Sequence, residues 1–222
     1  MEMTDREKFD RDGYLFVPQL IENPEDIYHP FPMRDGRRDR GMYIYKRNGD
    51  IVDNGDEKQV LGSLARYNVP CYRDLHWFVK REVEKILDMD LWPTYFYDRF
   101  YTTGQELKRH HDRHACEISV TLQISSNRDS SWPIWFENKD GSSNAIFMLD
   151  GDAAIYRGIE RDHWREPLTS RYNERQLWWR KFRKLEDDTY HHQVFFHYVD
   201  AQGPHVHLAF DQGWNDYGDN GV

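Results

Sequence analysis

Cysteine is scarce in this chain of 222 residues, which contains only Cys71 and Cys116. Two thiols are too few for a disulfide framework or for a metal site built from thiolates. We therefore expect a protein of a reducing compartment, the cytoplasm. Residues 1–13 are charged and lack an apolar run, so no signal peptide is predicted. No apolar run approaches the roughly 20 residues of a transmembrane helix, so we expect no membrane association.

An excess of basic residues is also missing, because 30 Lys and Arg stand against 39 Asp and Glu, for a net charge of -9. Binding to nucleic acid depends on neutralising phosphates, so this balance argues against a nucleic-acid partner. The strongest basic cluster lies at 34–47 and is diluted by two aspartates. A nucleic-acid demethylase that used this cluster as a strand-binding lid is a weaker alternative.

Aromatic residues, by contrast, are abundant at 15% of the chain. They favour a β-rich globule with a lined pocket. The length suits a single domain, 1–222, with one substantial core. We expect residues 1–90 to supply N-terminal helices and a candidate lid, and residues 91–212 to form a β core. The charged, Trp-bearing stretch near 171–190 predicts an inserted surface helix.

Two helices are predicted before residue 90. Thr4 can cap a short helix that ends at Gly13. Apolar positions with a period near 3.6 predict a second helix over 72–87. Between them, residues 23–56 are rich in Pro, Gly, Asp and Arg, which predicts an irregular segment with a small hairpin at 42–51.

The apolar pattern changes to period 2 after residue 93, which places Tyr95, Tyr97, Arg99 and Tyr101 on one face of a strand. Residues 138–141 are a strong turn signal between two later strands. Strands are predicted at 14–18, 95–101, 117–125, 132–136, 145–149, 153–156, 193–199 and 206–210. Many short strands with regular turns predict a mainly β protein with flanking helices, a double-sheet jelly roll.

His110-X-Asp112 and a later His163 form the most informative pattern in the chain. Residues i and i+2 of an extended strand face the same way, so His110 and Asp112 can direct one nitrogen and one oxygen to the same point. His163 follows a Gly-Asp turn and a short apolar strand, and a hairpin between the two motifs can bring their strands together. This set matches the 2-His-1-carboxylate facial triad of non-haem Fe(II) oxygenases, which leaves three coordination positions open.

Other histidines compete with this set, because the chain contains 11 of them. Four nitrogen or oxygen ligands drawn from them could hold Zn(II) instead. We rank the His110/Asp112/His163 set above these alternatives and interpret His111 as a neighbouring or exposed residue. The competing side chains are His114, His191, His192, His205 and His207.

Around these residues, the segment 91–200 resembles the 2-oxoglutarate/Fe(II)-dependent dioxygenase superfamily, in particular its prolyl-4-hydroxylase-like branch with related bacterial and viral members. The resemblance covers about half of the chain and includes all three candidate ligands. The matching motifs are Pro93-Thr94-Tyr95, Arg99, Tyr101, Gly104, Leu107, His110-X-Asp112-Arg113, residues 116–122, Trp132-Pro133-Ile134-Trp135, Gly151-Asp152-Ala153, Tyr156-Arg157-Gly158, residues 163–167 and residues 193–199.

This resemblance implies a double-stranded β-helix with Fe(II) at one end, held by His110, Asp112 and His163 as the catalytic centre. It further implies 2-oxoglutarate as a bidentate cosubstrate and O2 as the oxidant, with succinate and CO2 as products. The substrate would be a peptidyl residue such as proline, or a polar small molecule. The alternative is a jelly-roll metal-binding protein with a vestigial or Zn-filled site and no oxygenase activity.

The far carboxylate of 2-oxoglutarate requires a buried cation, usually arginine, whose fork matches a carboxylate. In the family this cation lies shortly beyond the second histidine, an offset that reaches Arg171. The insertion disturbs that alignment, and counting backwards from His197 reaches His191, a poor substitute.

Arg165 is therefore our first candidate for the anchor, because it shares a strand face with His163. Arg171 and Arg99 follow. Tyr101 and Gln123 are further candidates for cosubstrate contacts. Residues 23–60 and 171–190 are least like the family, and such loops usually determine specificity over a shared core.

Overall fold

The computed structural model describes residues 3–27, 33–34, 37–38, 40–46 and 48–211, and three α-helices and fourteen strands lie in that part of the chain. The helices are α1 (Asp5–Asp12), α2 (Arg73–Leu87) and α3 (Glu174–Phe182). The strands are β1 (Tyr14–Val17), β2 (Met33–Arg34), β3 (Arg37–Arg38), β4 (Gly41–Tyr45), β5 (Ile51–Asp53), β6 (Leu64–Tyr67), β7 (Leu91–Thr102), β8 (Leu107–His110), β9 (Ile118–Ser126), β10 (Ile134–Glu137), β11 (Ser143–Ile146), β12 (Ala153–Arg157), β13 (His163–Arg165) and β14 (Tyr190–Asp200).

Two sheets form the body of the fold. The large sheet has eight strands in the order β1-β12-β9-β14-β7-β6-β4-β5, and the small sheet has four in the order β11-β10-β13-β8. The sheets pack against each other, as in the stack of Tyr14 from β1 on Phe136 from β10, whose ring centroids are 4.8 Å apart. This mainly β arrangement of two facing sheets confirms the predicted jelly-roll class.

The helices before residue 90 cover the outer face of the large sheet. Thr4 caps α1 through a capping box with Glu7, and Gly13 ends the helix with a φ of 77°, as predicted. The apolar stripe of α2, which includes Val79 and Val83, packs in one cluster with residues of β9 and β14. None of the helices in the described ranges has the length and apolar character needed to cross a bilayer.

The segment before α2 is more regular than its composition predicts. A hairpin of β4 and β5 lies where one was predicted. β6 pairs in parallel with β4 and antiparallel with β7, and so joins the hairpin to the large sheet. The predicted hairpin is thus present, and β6 lies beyond the segment 23–56 that was predicted to be irregular. Within 23–56, β2 and β3 form a further pair that the composition did not indicate. The remaining part of the candidate lid includes residues 28–32, 35–36, 39 and 47, which lie outside the described residues.

Later elements also test the sequence patterns. The predicted hairpin at 132–149 is present as β10 and β11, and the predicted surface helix is α3. The expected strand at 206–210 is wrong, because Val206–Leu208 form a 3₁₀ helix. Their backbone groups bond locally, with the N–H of Leu208 donating to the carbonyl of His205 at 2.9 Å. Backbone groups satisfied in this way are not available for a neighbouring strand.

The central strands β7 and β14 have two chemically different faces. Tyr95, Tyr97 and Tyr101 of β7 pack into the space between the sheets, while Phe96 packs towards α2, as the period of 2 predicts. On β14, residues 191, 193, 195 and 197 share the inner face. The inner face is therefore polar and aromatic, and it forms one side of the candidate site.

Candidate active site

The three candidate metal ligands come together where β8 meets β13. These strands pair in the small sheet, and His110 is the direct register partner of His163, with ring centroids 4.4 Å apart. Asp112 lies just beyond β8, where its N–H donates to the carbonyl of Gly158 at 2.8 Å. Glycine is required there, because a Cβ at position 158 would lie 2.6 Å from Oδ2 of Asp112.

One ligand atom from each of the three residues lies within 4.8 Å of the others. Oδ1 of Asp112 is 3.6 Å from Nε2 of His110 and 3.7 Å from Nε2 of His163. A single ion with bonds of about 2.0–2.2 Å can reach atoms up to about 4 Å apart. The three side chains therefore fit a metal ion that all of them contact.

Both imidazoles are oriented by the backbone. Nδ1 of His110 donates to the carbonyl of Lys108 at 2.8 Å, and Nδ1 of His163 donates to the carbonyl of Arg161 at 3.0 Å. A carbonyl oxygen only accepts, so each Nδ1 carries the proton and each Nε2 presents its lone pair. Metal-binding histidines in general use the same support from the second ring nitrogen.

The charges also suit a cation. Burial alone would raise the pKa of Asp112, but the His163 and His110 imidazoles outweigh it and lower this pKa to about 2. Burial lowers the pKa of His163. At neutral pH Asp112 is thus an anion and His163 is neutral, the states in which both bind metals. Ser119 Oγ donates to Oδ2 of Asp112 at 3.0 Å, which leaves Oδ1 facing the imidazoles.

Gln59 also reaches this point, and no sequence pattern indicated it. Its amide nitrogen lies 2.8 Å from Nε2 of His110 and donates to the same lone pair that a metal ion needs. The Gln59 side chain is exposed, so it can turn into solvent when a metal ion enters. The contact makes residues 57–61 a neighbour of the site.

The competing histidines are less suited to a metal ion. Among the described residues, the second group of three with this spacing is Asp112, Cys116 and His197, which uses the same carboxylate. Burial raises the pKa of the Cys116 thiol, so this group lacks a ready thiolate. His192 instead bonds Asp98 at 2.9 Å, inside a buried ion pair.

Arg165 is a buried cation, the kind of residue that the cosubstrate hypothesis requires. It is 1% exposed, its Nη1 donates to the carbonyl of Trp132, and its guanidinium lies 4.8 Å from the Trp132 ring centroid. Nε and Nη2 have no hydrogen-bond partner within the described part of the chain. Burial lowers the pKa of Arg165 to about 10, so the group is still charged at neutral pH. A buried charge without a counter-ion is costly, and a carboxylate ligand would remove that cost.

The other two arginine candidates differ from Arg165 in burial and partners. Arg99 is fully buried but already lies 3.3 Å from the Glu57 carboxylate. Arg171 is exposed, with its guanidinium 5.2 Å from the Tyr172 ring centroid. The geometry therefore favours Arg165, as the strand face predicted, and does not bring Arg171 to the site.

Tyr101 and Gln123 border the same interior space as Arg165. The Tyr101 ring lies 4.9 Å from the ring of Trp132, which covers Arg165. The amide of Gln123 donates to Asp150 at 3.2 Å and lies 3.4 Å from Nδ1 of His191. Nε2 of His191 has no hydrogen-bond partner among the residues that the structure describes. Tyr101 and Gln123 thus lie in the same interior region as the candidate anchor.

No family model matches this sequence, and no curated protein matches it. Solved structures do match. A prolyl-4-hydroxylase of Pseudomonas putida aligns with a TM-score of 0.50 at 9% identity, over 86% of this chain and 96% of that chain. A Trichoplax adhaerens prolyl hydroxylase, in complex with a peptide fragment of hypoxia inducible factor, aligns with a TM-score of 0.55 at 11% identity, over 90% and 89%.

A third match is HygX from Streptomyces hygroscopicus with nickel, 2-oxoglutarate and hygromycin B bound, with a TM-score of 0.56 at 11% identity, over 88% of this chain and 86% of that chain. At such low sequence identity, structural similarity is evidence for the fold alone. This chain is similar in structure to prolyl hydroxylases and other 2-oxoglutarate/Fe(II) oxygenases, and it has their jelly-roll fold.

Proposed function

We propose that this protein is a non-haem Fe(II)/2-oxoglutarate-dependent dioxygenase that hydroxylates a polar small molecule or a peptidyl residue such as proline. The observation that carries the proposal is the buried guanidinium of Arg165, on the same strand as His163, whose Nε and Nη2 have no hydrogen-bond partner among the described residues. Two residues along a strand span about 7 Å. A five-carbon dicarboxylate can bridge such a distance, with one end near the triad and the other at Arg165.

In this proposal His110, Asp112 and His163 hold Fe(II). When bound, the iron supplies O2 activation coupled to oxidative decarboxylation of 2-oxoglutarate to succinate and CO2. The protein contributes ligand geometry and charge. Ser119 keeps one carboxylate oxygen of Asp112 engaged, so the other is presented to the metal.

Arg165 binds the far carboxylate through its free Nε and Nη2, which form one edge of the guanidinium fork. Trp132 covers the opposite side of this group and excludes water. The Tyr101 hydroxyl accepts from Arg99 at 3.4 Å, which leaves its own proton for an acceptor on the cosubstrate. Tyr156, whose ring centroid is 4.7 Å from that of His163, shields the inner side of the metal ligand.

The proposal is tested by adding Fe(II) and 2-oxoglutarate to the protein without oxygen. We expect a weak visible charge-transfer band in the wild type and no band in His110→Ala. The matched control is His111→Ala, whose side chain is 67% exposed and therefore dispensable for the site. Stoichiometric iron binding by His110→Ala would contradict the ligand assignment.

A second measurement separates the oxygenase from the alternative function. Under air, the wild type is expected to produce succinate from 2-oxoglutarate in the presence of its substrate. Metal binding without any binding of 2-oxoglutarate would contradict the oxygenase and favour a metal-binding jelly roll without this activity.

A further inference from the structure

Residues 57–61, which we call the wall segment, bridge the two sheets on one side of the candidate site. Gln59 contacts His110 at the edge of the small sheet, and Glu57 contacts Arg99 on β7 of the large sheet. Val60 is 2% exposed and packs in the same cluster as Tyr97. The segment therefore forms part of the lining of the site.

Glu57 and Arg99 bring hydrogen-bond acceptors and donors that lack partners in the described ranges to one buried point. Glu57 is 3% exposed, and its Oε1 accepts from the N–H of Gln59 at 2.9 Å. Its Oε2 has no hydrogen-bond partner within the described ranges, and the same holds for Nε and Nη2 of Arg99. Nη2 lies 3.3 Å from Oε1 of Glu57 without an aligned hydrogen bond, so Oε2 of Glu57 and Nε of Arg99 are the acceptor and the donor left beside this ion contact.

A second buried ion pair shows how such a pair looks when its role is structural. Arg66 binds Asp98 through both Nε and Nη2, with Nε 3.0 Å from Oδ1, and His192 and Tyr72 add further contacts to the same carboxylate. Asp98 lies on the outer face of β7. The Glu57–Arg99 pair has one ion contact at 3.3 Å, and within the described ranges each residue keeps a polar atom without a hydrogen bond. Its geometry suits a third component that contacts both residues beside the ion contact.

The chemistry of that component follows from the pair. A ligand bound here needs a hydrogen-bond acceptor that reaches the Arg99 guanidinium and a hydrogen-bond donor that reaches Oε2 of Glu57. Because the pair is already neutral, a ligand with one net charge would leave an excess charge buried, which is costly. A zwitterion satisfies both groups without excess charge, since a carboxylate matches the arginine fork and an ammonium group matches the glutamate.

We propose that Glu57 and Arg99 recognise the α-amino-acid group of a small zwitterionic substrate, a free amino acid or a close derivative. This inference rests on the oxygenase function proposed above, because it assigns the bound molecule as the substrate of that site. Both residues are almost fully enclosed, so a free molecule fits better than the middle of a polypeptide. The rings of Tyr97, Tyr101 and Phe195, 5.3–5.9 Å from the Arg99 guanidinium, surround the cation and pack against the body of the ligand.

The test measures binding to the full-length protein loaded with Zn(II) and 2-oxoglutarate, so that no turnover occurs. The probes are the common free L-amino acids, screened by saturation-transfer NMR, with their N-acetyl and carboxamide derivatives as matched probes. We expect at least one free amino acid to bind and both of its blocked forms to bind at least about tenfold more weakly. Binding of none of the free amino acids, or equal binding of the blocked forms, would overturn the inference.

Variants assign the binding to this pair. Glu57→Gln keeps the size of the side chain and removes its charge, so we expect at least about tenfold weaker binding. Asp56→Asn, an exposed neighbour in the chain, is the matched control and is expected to bind as the wild type. Far-ultraviolet circular dichroism checks that both variants are folded. Unchanged affinity in a folded Glu57→Gln protein would overturn the assignment.

Binding of 2-oxoglutarate is measured separately by calorimetry, on the wild-type and variant proteins loaded with Zn(II) alone, and amino-acid binding is measured with and without 2-oxoglutarate. These measurements separate the two proposals. If 2-oxoglutarate binds and amino acids do not, the recognition site is wrong and the oxygenase proposal stands. If amino acids bind in a Glu57-dependent way and 2-oxoglutarate does not, the recognition site is supported and the oxygenase proposal fails.

Discussion

Replacing Arg165 by methionine is expected to leave the stability of the metal-free protein nearly unchanged while abolishing 2-oxoglutarate binding. Burial lowers the pKa of Arg165 from its ordinary value to about 10. Since one pH unit of pKa displacement corresponds to about 1.36 kcal/mol, burial costs the charged form about 3 kcal/mol. The hydrogen bond to Trp132 returns about 1.5–3 kcal/mol, and the contact with its ring about 0.5–2 kcal/mol.

These contributions nearly cancel, so Arg165→Met is expected to change the free energy of unfolding by less than about 2 kcal/mol. Arg99→Met is the matched control, because it removes an equally buried arginine that has a partner. It leaves the Glu57 carboxylate buried without its cation and is expected to cost about 3–5 kcal/mol.

The measurement is urea-induced unfolding of each protein, without metal and then with Zn(II) and 2-oxoglutarate. At a concentration 100 times its Kd, 2-oxoglutarate stabilises the wild type by about 2.7 kcal/mol. Arg165→Met is expected to gain nothing from 2-oxoglutarate. If this variant lost more than about 3 kcal/mol without ligand and still responded to 2-oxoglutarate, Arg165 would be a structural residue and the reasoning would be refuted.

Three further predictions concern other groups. Burial lowers the pKa of His76 to about 3 and that of His197 to about 4, so the unfolded chain takes up protons first as pH falls below 6.5. Stability should therefore fall from pH 6.5 towards pH 4, and urea midpoints of His76→Phe should show a shallower dependence. Gln59→Ala should bind Zn(II) more tightly in a competition titration, because the amide no longer occupies a ligand nitrogen; weaker binding would contradict this. Asp98→Asn should lose about 3–5 kcal/mol in urea unfolding, because Arg66 then keeps a buried charge without its anion; a loss below about 1 kcal/mol would contradict it.

Much of the fold could be predicted because its signals are local. The capping residues of α1 and the apolar period of α2 belong to single helices, and the alternation in β7 predicted which aromatic side chains face inward. The alternating residues at 206–210 carried a similar pattern, but Val206–Leu208 form a 3₁₀ helix with local bonds, and beyond it the N–H of Phe210 donates to the carbonyl of Pro93 at 2.7 Å. A strand requires a neighbour, and the sequence of one segment does not identify it. For the same reason β6 and its place beside β7 could not be predicted.

The candidate site likewise contains residues that local sequence patterns indicate and residues that they do not. The two-residue spacing of His110 and Asp112 and the parity of Arg165 with His163 are local patterns, so these residues could be named as candidates from the sequence. Asp112 lies just beyond the end of β8 and still approaches both histidines. Glu57 and Gln59 could not. They follow a long segment of irregular composition, and their approach to the site depends on how that segment crosses from one sheet to the other.

The two faces of β14 have different roles, one in the candidate site and one in the apolar packing under α2. Its inner positions hold polar and aromatic groups of the site, whereas Val194 and Phe196 belong to the apolar cluster under α2. A change at an inner position therefore acts on the candidate site, whereas a change at Val194 or Phe196 acts on the packing beneath α2. Because residues 191, 193, 195 and 197 are also buried, a library at these positions has to be selected for folding before it is screened for ligand binding.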